Sequence, residues 1–283
     1  MSCFCPVKRI KIVSLNFKYM EIAFLIIFTV AVAYSVWFIA AGYKKKGPQS
    51  APAEMNIDLL FSIPFVQKLN DTERERFKTE VSEFLKKVRI TPVNTDVSTA
   101  DKMYIAAGAV IPMFSFPGWS YPNLDEVFVY GNNFNAGFET DTDDRYLAGL
   151  VGTGVYTNKM FLSKPALQAG FGEYAHTSNT AIHEFIHLID GADGETDGVP
   201  HILMPDKTVV SQWINLVQEE MQKIADGFSD INPYALTKQS EFFAVASEYF
   251  FTKPELFEHY HPELFKMLQQ VFQTKYIFES PEF

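Results

Sequence analysis

The stretch "NTAIHEFIHLIDGADGETDG", residues 179–198, contains two histidines four positions apart, with a glutamate directly after the first. On a helix, residues i and i+4 project from one face, so His183 and His187 are predicted to reach a single ion. Glu184 lies about 100° around the same helix, which places its carboxylate beside the ion, where a general base is needed. The spacing therefore predicts a reactive metal-binding helix. The competing interpretation is a surface helix with two solvated histidines.

The same helix carries an apolar stripe at helical spacing, formed by Ile182, Phe185, Ile186 and Ile189. This stripe is predicted to face the core, with both histidines and Asp190 on the complementary side. A helix that is half buried and half available to reactants is expected at an active site. Asp190 is either an acceptor for a ligand imidazole or a loop acid at the end of the helix.

Two regions offer a third metal ligand. Asp193 lies close to the position that the metzincin pattern gives to its third ligand, but Asp190 occupies the glycine position of that pattern. The segment "SEFFAVASEYFF", residues 240–251, carries Glu241 and Glu248 on one face of an apolar helix. An unpaired carboxylate is costly to bury there, and a metal offsets that cost. We favour the second helix, and spacing alone does not decide between its two glutamates.

Composition and charge narrow the class of protein. Of the 283 residues, 47% are hydrophobic and 20% are charged, as in a globular protein with a sizeable core. Cys3 and Cys5 precede any domain, so a transition metal must rely on His, Asp and Glu. Residues 1–46 hold seven of 24 basic and one of 34 acidic residues, which leaves 17 basic and 33 acidic residues, a net charge of −16. Such a body repels phosphates, so we expect no nucleic-acid partner.

The N-terminal part is predicted to contain a membrane anchor. Ile22 to Ala41 is uncharged and, at about 1.5 Å per residue, is long enough to cross a bilayer. The predicted organisation is a basic segment at 1–21, a transmembrane helix at 22–42 in contact with lipid, a linker at 43–55 and one domain at 56–283. A signal peptide and a buried core helix are the alternatives. The predicted localisation is a single-pass protein of a bacterial inner membrane, with its domain in the cytoplasm, as a start at Met20 favours.

The pattern along the domain predicts an α+β fold with a small mixed or antiparallel sheet and long C-terminal helices. Strand-like stretches come early in the chain and helical periodicity dominates later. Ser163 is expected to close an edge strand that pairs with an extended peptide. The predicted elements are a helix capped by Asp71, helices at 103–114, 179–190, 207–227, 238–251 and from 262, a strand at 126–130 and two strands within 146–163.

Several stretches resemble the Mlc titration factor A family of zinc-dependent peptidases, whose catalytic part is related to anthrax lethal factor. They lie between about residues 60 and 275 and include "IHEFIHLID" at 182–190 and "EFFAVASEYFF" at 241–251, with "FVQKLNDTERERF" at 65–77, "YIAAGAVIP" at 104–112, "VFVY" at 127–130 and "GVP" at 198–200. The resemblance implies a zincin-like, gluzincin-like metallopeptidase domain.

The resemblance also implies a set of functional residues. One zinc ion per chain would be held by His183, His187 and Glu241, with Glu184 as the general base and Tyr234 as a stabiliser of the oxyanion. From the residues alone, Tyr234 is a loop-packing aromatic. Glu248 then becomes either a residue that orients a ligand without contacting the metal or a structural residue. His176, His201, His259 and His261 are expected to be ordinary surface or loop histidines.

The predicted function is a membrane-anchored zinc-dependent peptidase acting on a peptide or protein, with aminopeptidase and endopeptidase activity both open. Glu184 would activate a water on the metal for attack on the peptide carbonyl. The alternative is a membrane-tethered regulatory protein that sequesters a cytoplasmic partner such as a transcriptional regulator, with a structural metal site. Three convincing ligands and no fourth favour catalysis, because structural zinc sites have four protein ligands.

Overall fold

The computed structural model describes residues 56–142, 146–172 and 178–274. Within them the chain is α+β, with a small mixed sheet and a C-terminal half made of helices. This part of the predicted fold class is confirmed. The predicted basic segment at 1–21, transmembrane helix at 22–42 and linker at 43–55 lie outside the described residues.

The predicted localisation is corrected. No helix within the three described ranges is long and apolar enough to cross a bilayer. The structure therefore gives no support to a single-pass membrane protein, to an inner-membrane location with a cytoplasmic domain, or to lipid as a partner.

The strands of the sheet lie in the first half of the described chain, and the second half is helical. Three short 3₁₀ turns, at Gly154–Tyr156, Gly191–Asp193 and Pro233–Leu236, connect some of them. The elements are α1 (Ile57–Phe61), α2 (Pro64–Gln67), α3 (Asp71–Lys87), β1 (Arg89–Val93), α4 (Thr99–Met113), β2 (Glu126–Tyr130), β3 (Gly149–Val151), β4 (Lys159–Ser163), α5 (Lys164–Phe171), α6 (Thr180–Asp190), α7 (Lys207–Ala225), α8 (Gln239–Thr252), α9 (Pro254–Tyr260) and α10 (Pro262–Val271).

The sheet has the strand order β1-β2-β4-β3. β1, β2 and β4 run parallel, and β3 pairs antiparallel with β4, so β3 is one edge of the sheet. Ser163 ends the interior strand β4 and its side chain caps α5, so the prediction that it closes an edge strand is wrong. β1 forms the other edge and contains Pro92, which is tolerated there because an edge strand leaves one row of backbone groups unpaired.

Helix starts follow local capping chemistry. The side chain of Asn70, not Asp71, caps α3, and it forms a reciprocal capping box with Glu73. Ser98 and Asp101 form the same arrangement at the start of α4. Both boxes satisfy backbone N–H groups that a helix leaves unpaired in its first turn.

The helix with the two histidines lies in the middle of the core. The four apolar residues of its predicted stripe are all at most 2% exposed, which confirms the predicted core face. It approaches α4 so closely that a Cβ added at Gly108 would lie 2.8 Å from the Cβ of Ala181. Its other flank packs against α8, where most residues from Phe242 to Phe251 are buried. α6 and α8 are therefore held rigidly side by side, and both carry candidate ligands.

Candidate metal centre

The start of α6 is fixed by Asn179. Its side-chain oxygen accepts a hydrogen bond from the Ile182 backbone N–H at 3.1 Å, and its amide donates to the Gly170 carbonyl at 2.8 Å. The backbone N–H of Asn179 donates to Glu248 Oε1 on α8 at 2.6 Å. This one residue therefore caps α6 and ties its first turn to the neighbouring helix.

Three candidate ligand atoms meet between α6 and α8. Glu241 Oε2 lies 3.1 Å from His183 Nε2 and 3.2 Å from His187 Nε2, and the two nitrogens are 3.2 Å apart. In tetrahedral zinc sites, bonds of about 2.0–2.1 Å place neighbouring ligand atoms about 3.3 Å apart. The triangle therefore has the dimensions of one face of a tetrahedral metal site.

The hydrogen bonding around His183 suits a cation shared by the three ligand atoms. Glu248 Oε2 lies 3.3 Å from His183 Nδ1, so this nitrogen carries the proton and donates it to the carboxylate. When the His183 ring is neutral, the lone pair of its Nε2 faces His187 Nε2 and Glu241 Oε2. A positive ion bound to these three atoms stabilises this arrangement. The donor set of two imidazoles and one carboxylate is one that transition metals bind.

Neighbouring charges and burial also shift the pKa values of His183 and Glu241. Burial works against charge on His183, but hydrogen bonds to Glu241 and Glu248 raise its pKa to about 10. Burial likewise opposes ionisation of Glu241, but hydrogen bonds from both histidines hold its pKa below its usual range. These surroundings thus favour positive charge at His183 and negative charge at Glu241.

The structure distinguishes between Glu241, Glu248 and Asp193, the acidic residues that are candidates for the third ligand. Glu241, in the first turn of α8, contacts both histidine rings, whereas Glu248 contacts the outer nitrogen of His183. Asp193 lies in the loop after α6, where it accepts hydrogen bonds from the backbone of Glu195 and His201. Asp193 is absent from the three-residue cluster, which is the one potential metal-binding group in the described residues.

Asp190 is fully buried, and its side chain accepts a hydrogen bond from the backbone, not from a ligand imidazole as one of its two predicted roles requires. Its Oδ2 accepts a hydrogen bond from the Gly198 N–H at 2.8 Å. In the part of the chain that the structure describes, its Oδ1 has no hydrogen-bond partner. Burial raises the pKa of Asp190 to about 7, although the Gly198 hydrogen bond opposes this.

Glu184 lies beside the triangle, in a narrow space against the edge strand β3. It is 5% exposed and it lines a cleft of about 470 Å³ together with His183 and Tyr234. Burial raises its pKa above the ordinary value, while the two neighbouring histidines lower it. A nearly buried carboxylate beside the candidate ligands, at the wall of a cleft, is a candidate general base.

Gly149 leaves the room that this carboxylate occupies. A Cβ added there would lie 2.4 Å from Glu184 Oε1 and 2.7 Å from Thr180 Cγ2. We expect Gly149→Ala to push the carboxylate aside and to lower kcat/KM about 100-fold, because a misplacement of about 1 Å has effects of that size. Metal content, measured by elemental analysis, is expected to stay unchanged.

The control for this substitution is Gly154→Ala, in the turn after the same strand. Gly154 has a positive φ of 60°, unlike Gly149, and a Cβ there meets nothing within 4 Å. We expect it to lower stability by about 1 kcal/mol through backbone strain and to retain activity. Equal activity in the parent chain and Gly149→Ala would contradict the proposed constraint on Glu184.

Tyr234 also lines the cleft, in the turn before α8. It is 51% exposed, and its ring centroid lies 6.3 Å from that of His183. Burial and the carboxylates of Glu241 and Glu184 raise the pKa of its phenol, so its O–H remains a donor at neutral pH. The structure therefore places Tyr234 beside the cluster as an open hydrogen-bond donor instead of a packed loop residue.

A second polar network reaches the segment that carries Tyr234, and no sequence pattern predicts it. His261 is 5% exposed, so its predicted place as an ordinary surface or loop histidine is wrong. Its Nε2 lies 2.7 Å from Asp230 Oδ1, and its Nδ1 lies 3.2 Å from Glu220 Oε2 on α7. The Tyr249 O–H donates to Asp230 at 2.6 Å. The network thereby joins α7, α8 and the start of α10 to the segment that carries Tyr234.

This network predicts a pH-dependent contribution to stability. Burial lowers the pKa of His261, but hydrogen bonds to Glu220 and Asp230 raise it overall. Burial raises the pKa of both acids, but hydrogen bonds from His261 and Lys223 to Glu220, and from Tyr249 and His261 to Asp230, lower it overall. The histidine therefore stabilises the fold below its unfolded pKa of about 6.5, and this contribution is lost as pH rises through the folded pKa. Glu220 and Asp230 stabilise the fold above their unfolded pKa values of about 4. This stabilisation is lost as pH falls through their lower folded pKa values.

We expect His261→Gln to lower the free energy of unfolding by about 1–3 kcal/mol at pH 6, with a smaller difference from the parent at pH 9. Urea unfolding at both pH values measures this. His259→Gln, at an exposed histidine of the same region, is the control and is expected to match the parent. A difference between His261→Gln and the parent that is the same at both pH values would contradict a charged His261.

Comparison with known proteins places these residues in a family context. The sequence pattern of a family described as glucose-regulated metallo-peptidase M90 matches residues 42–273. Mlc titration factor A of Pectobacterium atrosepticum is 30% identical over 227 residues, which cover 75% of this chain and 83% of that protein. Mlc titration factor A of Escherichia coli is 28% identical over 229 residues, again 75% and 83%. An uncharacterized protein of Synechocystis is 25% identical over 223 residues, 74% and 80%.

Proposed function

The chain belongs to the glucose-regulated metallo-peptidase M90 family, and on this premise we propose that it is a zinc-dependent peptidase. The observation that carries the proposal is the meeting of His183, His187 and Glu241 at 3.1–3.2 Å from one another. We propose that these three residues hold one zinc ion, that Glu184 is the general base and that Tyr234 stabilises the oxyanion.

The number of ligands favours a catalytic ion over a structural one. The cluster within the described residues contains three side chains. Catalytic zinc sites keep a fourth position for water or substrate, whereas structural sites fill all four with protein ligands. The cleft that opens beside His183 and Glu184 gives a substrate access to that position.

When bound, zinc supplies a Lewis acid that polarises the scissile carbonyl and makes water nucleophilic near neutral pH. The Glu184 carboxylate takes a proton from the attacking water as the new C–O bond forms, and it returns this proton to the nitrogen as the C–N bond breaks. The Tyr234 phenol donates a hydrogen bond to the developing negative oxygen. Glu248 keeps His183 in the tautomer that frees Nε2.

The edge strand β3 provides a path for an extended substrate. Ala148 and Gly152 bond to β4, so the alternation of an antiparallel pair directs the backbone groups of Gly149 and Val151 to the open edge. A peptide that adds to this edge would run past Glu184. Cleavage next to a free amino terminus is the narrower form of the proposal, and it needs a test of its own.

The experiment is metal removal and restoration. We expect a chelator to abolish cleavage of a fluorogenic peptide panel and stoichiometric zinc to restore it, because the chain's own groups cannot replace the Lewis acid. Each peptide is compared with its N-acetylated form, and loss of cleavage on acetylation identifies an aminopeptidase. Cleavage that persists in the metal-free protein would contradict the proposal.

A second candidate function comes from the names of the relatives. Two of them are called Mlc titration factor A, a name that refers to a partner, Mlc. For this chain the corresponding function is capture of a protein partner such as a transcriptional regulator, with the metal serving structure. Stoichiometric zinc without turnover on any peptide of the panel would favour this second function.

A further inference from the structure

We propose that Gly198 is a positioning residue that sets the spacing between the two helices that carry the candidate ligands. This inference rests on the metal site of the proposed function. Gly198 lies in the loop between α6 and α7, outside the ligand cluster. Three independent contacts connect it to α6, to α7 and to the first turn of α8.

The first contact joins Gly198 to the end of α6. Its N–H donates to Oδ2 of Asp190, the last residue of that helix, at 2.8 Å. Asp190 follows His187 by three residues and is fully buried. A hydrogen bond in a buried, low-dielectric place is stronger than one at the surface, so it holds Gly198 in a defined position relative to His187.

The second contact comes from α7. The indole Nε1–H of Trp213 donates to the Gly198 carbonyl at 2.7 Å, and Trp213 is fully buried. Its ring lies 6.3 Å from Phe242 and 5.6 Å from Phe243, the two residues that follow Glu241. Trp213 thus contacts Gly198 with its polar group and the ligand-bearing turn of α8 with its ring.

The third contact is a direct approach of two backbones. A Cβ added at Gly198 would lie 2.5 Å from the carbonyl carbon and oxygen of Gln239 and 2.9 Å from the backbone nitrogen of Ser240. These two residues immediately precede Glu241. Because the obstacle is backbone, a side chain at position 198 must move the start of α8 or the loop itself. The φ of +84° at Gly198 adds a second reason for glycine.

A displacement at Gly198 is expected to weaken metal binding. Functional sites tolerate displacements of only about 0.5 Å, and loss of a residue that orients metal ligands costs about 10–100-fold in affinity. A shift of the first turn of α8 moves Glu241 relative to His183 and His187. Gly198 therefore contributes to zinc affinity without touching the metal.

The experiment compares Gly198→Ala with Gly194→Ala, both tested for a folded state by circular dichroism. Gly194 lies in the same loop at φ +109°, but a Cβ there meets nothing within 4 Å, so this control has the strain without the collision. We expect Gly198→Ala to bind zinc about 10–100-fold more weakly in chelator competition, and the control to stay within about 2-fold of the parent. The visible spectrum of the Co²⁺-loaded protein is expected to change in Gly198→Ala alone, because it reports ligand geometry.

A third variant, Trp213→Phe, keeps an aromatic ring at this buried position, removes the donor to Gly198 and reduces the ring volume. It decides the question if Gly198→Ala does not fold, and we expect it to weaken zinc binding and to alter the Co²⁺ spectrum. A folded Gly198→Ala with parental zinc affinity and spectrum overturns the inference, as does a parental Trp213→Phe when Gly198→Ala is unfolded. If the parent chain itself binds no zinc, the proposed function fails and the inference fails with it.

Discussion

Glu184→Gln is expected to abolish peptide hydrolysis while zinc stays bound. Glutamine keeps the shape that fits the space beside Gly149, so the packing of this nearly buried side chain is retained. It cannot accept and return a proton, and general-base catalysis contributes about 10²–10⁴-fold to rate. We therefore expect kcat/KM to fall by about that factor, with zinc content equal to that of the parent by elemental analysis.

The pH profile adds a second readout for the same residue. Burial raises the pKa of Glu184. We therefore expect kcat/KM of the parent to fall on acidification with an apparent pKa above that of an exposed glutamate. Glu195→Gln, at an exposed position after α6, is the control and should keep the parental rate and profile. If Glu184→Gln cleaves peptides as fast as the parent, Glu184 is not the base.

Loss of zinc is the expected result of Glu241→Gln. The Glu241 carboxylate oxygen is equidistant, within 0.1 Å, from the two imidazole nitrogens, and it brings the negative charge of the proposed ligand set. Removing a residue behind a ligand costs about 10–100-fold in metal affinity, so removing a charged ligand should cost more than about 100-fold. Chelator competition measures the affinity, and hydrolysis should disappear at limiting zinc.

Glu248→Gln is the matched control, since Glu248 lies on the same helix and contacts the outer nitrogen of His183. We expect a loss of about 10–100-fold, smaller than that of Glu241→Gln. A Glu241→Gln variant that keeps stoichiometric zinc, or a larger loss in Glu248→Gln, would contradict the proposed ligand set.

Local patterns predicted much of the fold. The spacing of apolar residues identified α6, α8 and β2, because periodicity is a property of the sequence itself. β1 was missed because Pro92 argues against a strand, and only its place at the sheet edge makes it acceptable. The cap of α3 was misplaced by one residue, from Asn70 to Asp71, because both side chains suit the position.

The site was predictable where it is local and ambiguous where it depends on packing. His183, Glu184 and His187 follow from helical spacing, but Glu241 and Glu248 share one helix face and differ only in height along it. The packing of α8 against α6 brings Glu241 to both rings, and spacing carries no information on that height. His261 was missed for a related reason, since its two acidic partners are 31 and 41 positions away in the chain.

The most direct test of the central claim is a crystal structure of the zinc-loaded protein with anomalous data at the zinc edge. We predict one anomalous peak that marks a zinc ion bound by Nε2 of His183, Nε2 of His187 and a carboxylate oxygen of Glu241, at about 2.0–2.2 Å from each. Zinc-loaded crystals with no peak between α6 and α8, or with a peak there and the Glu241 side chain turned away from it, would contradict the claim.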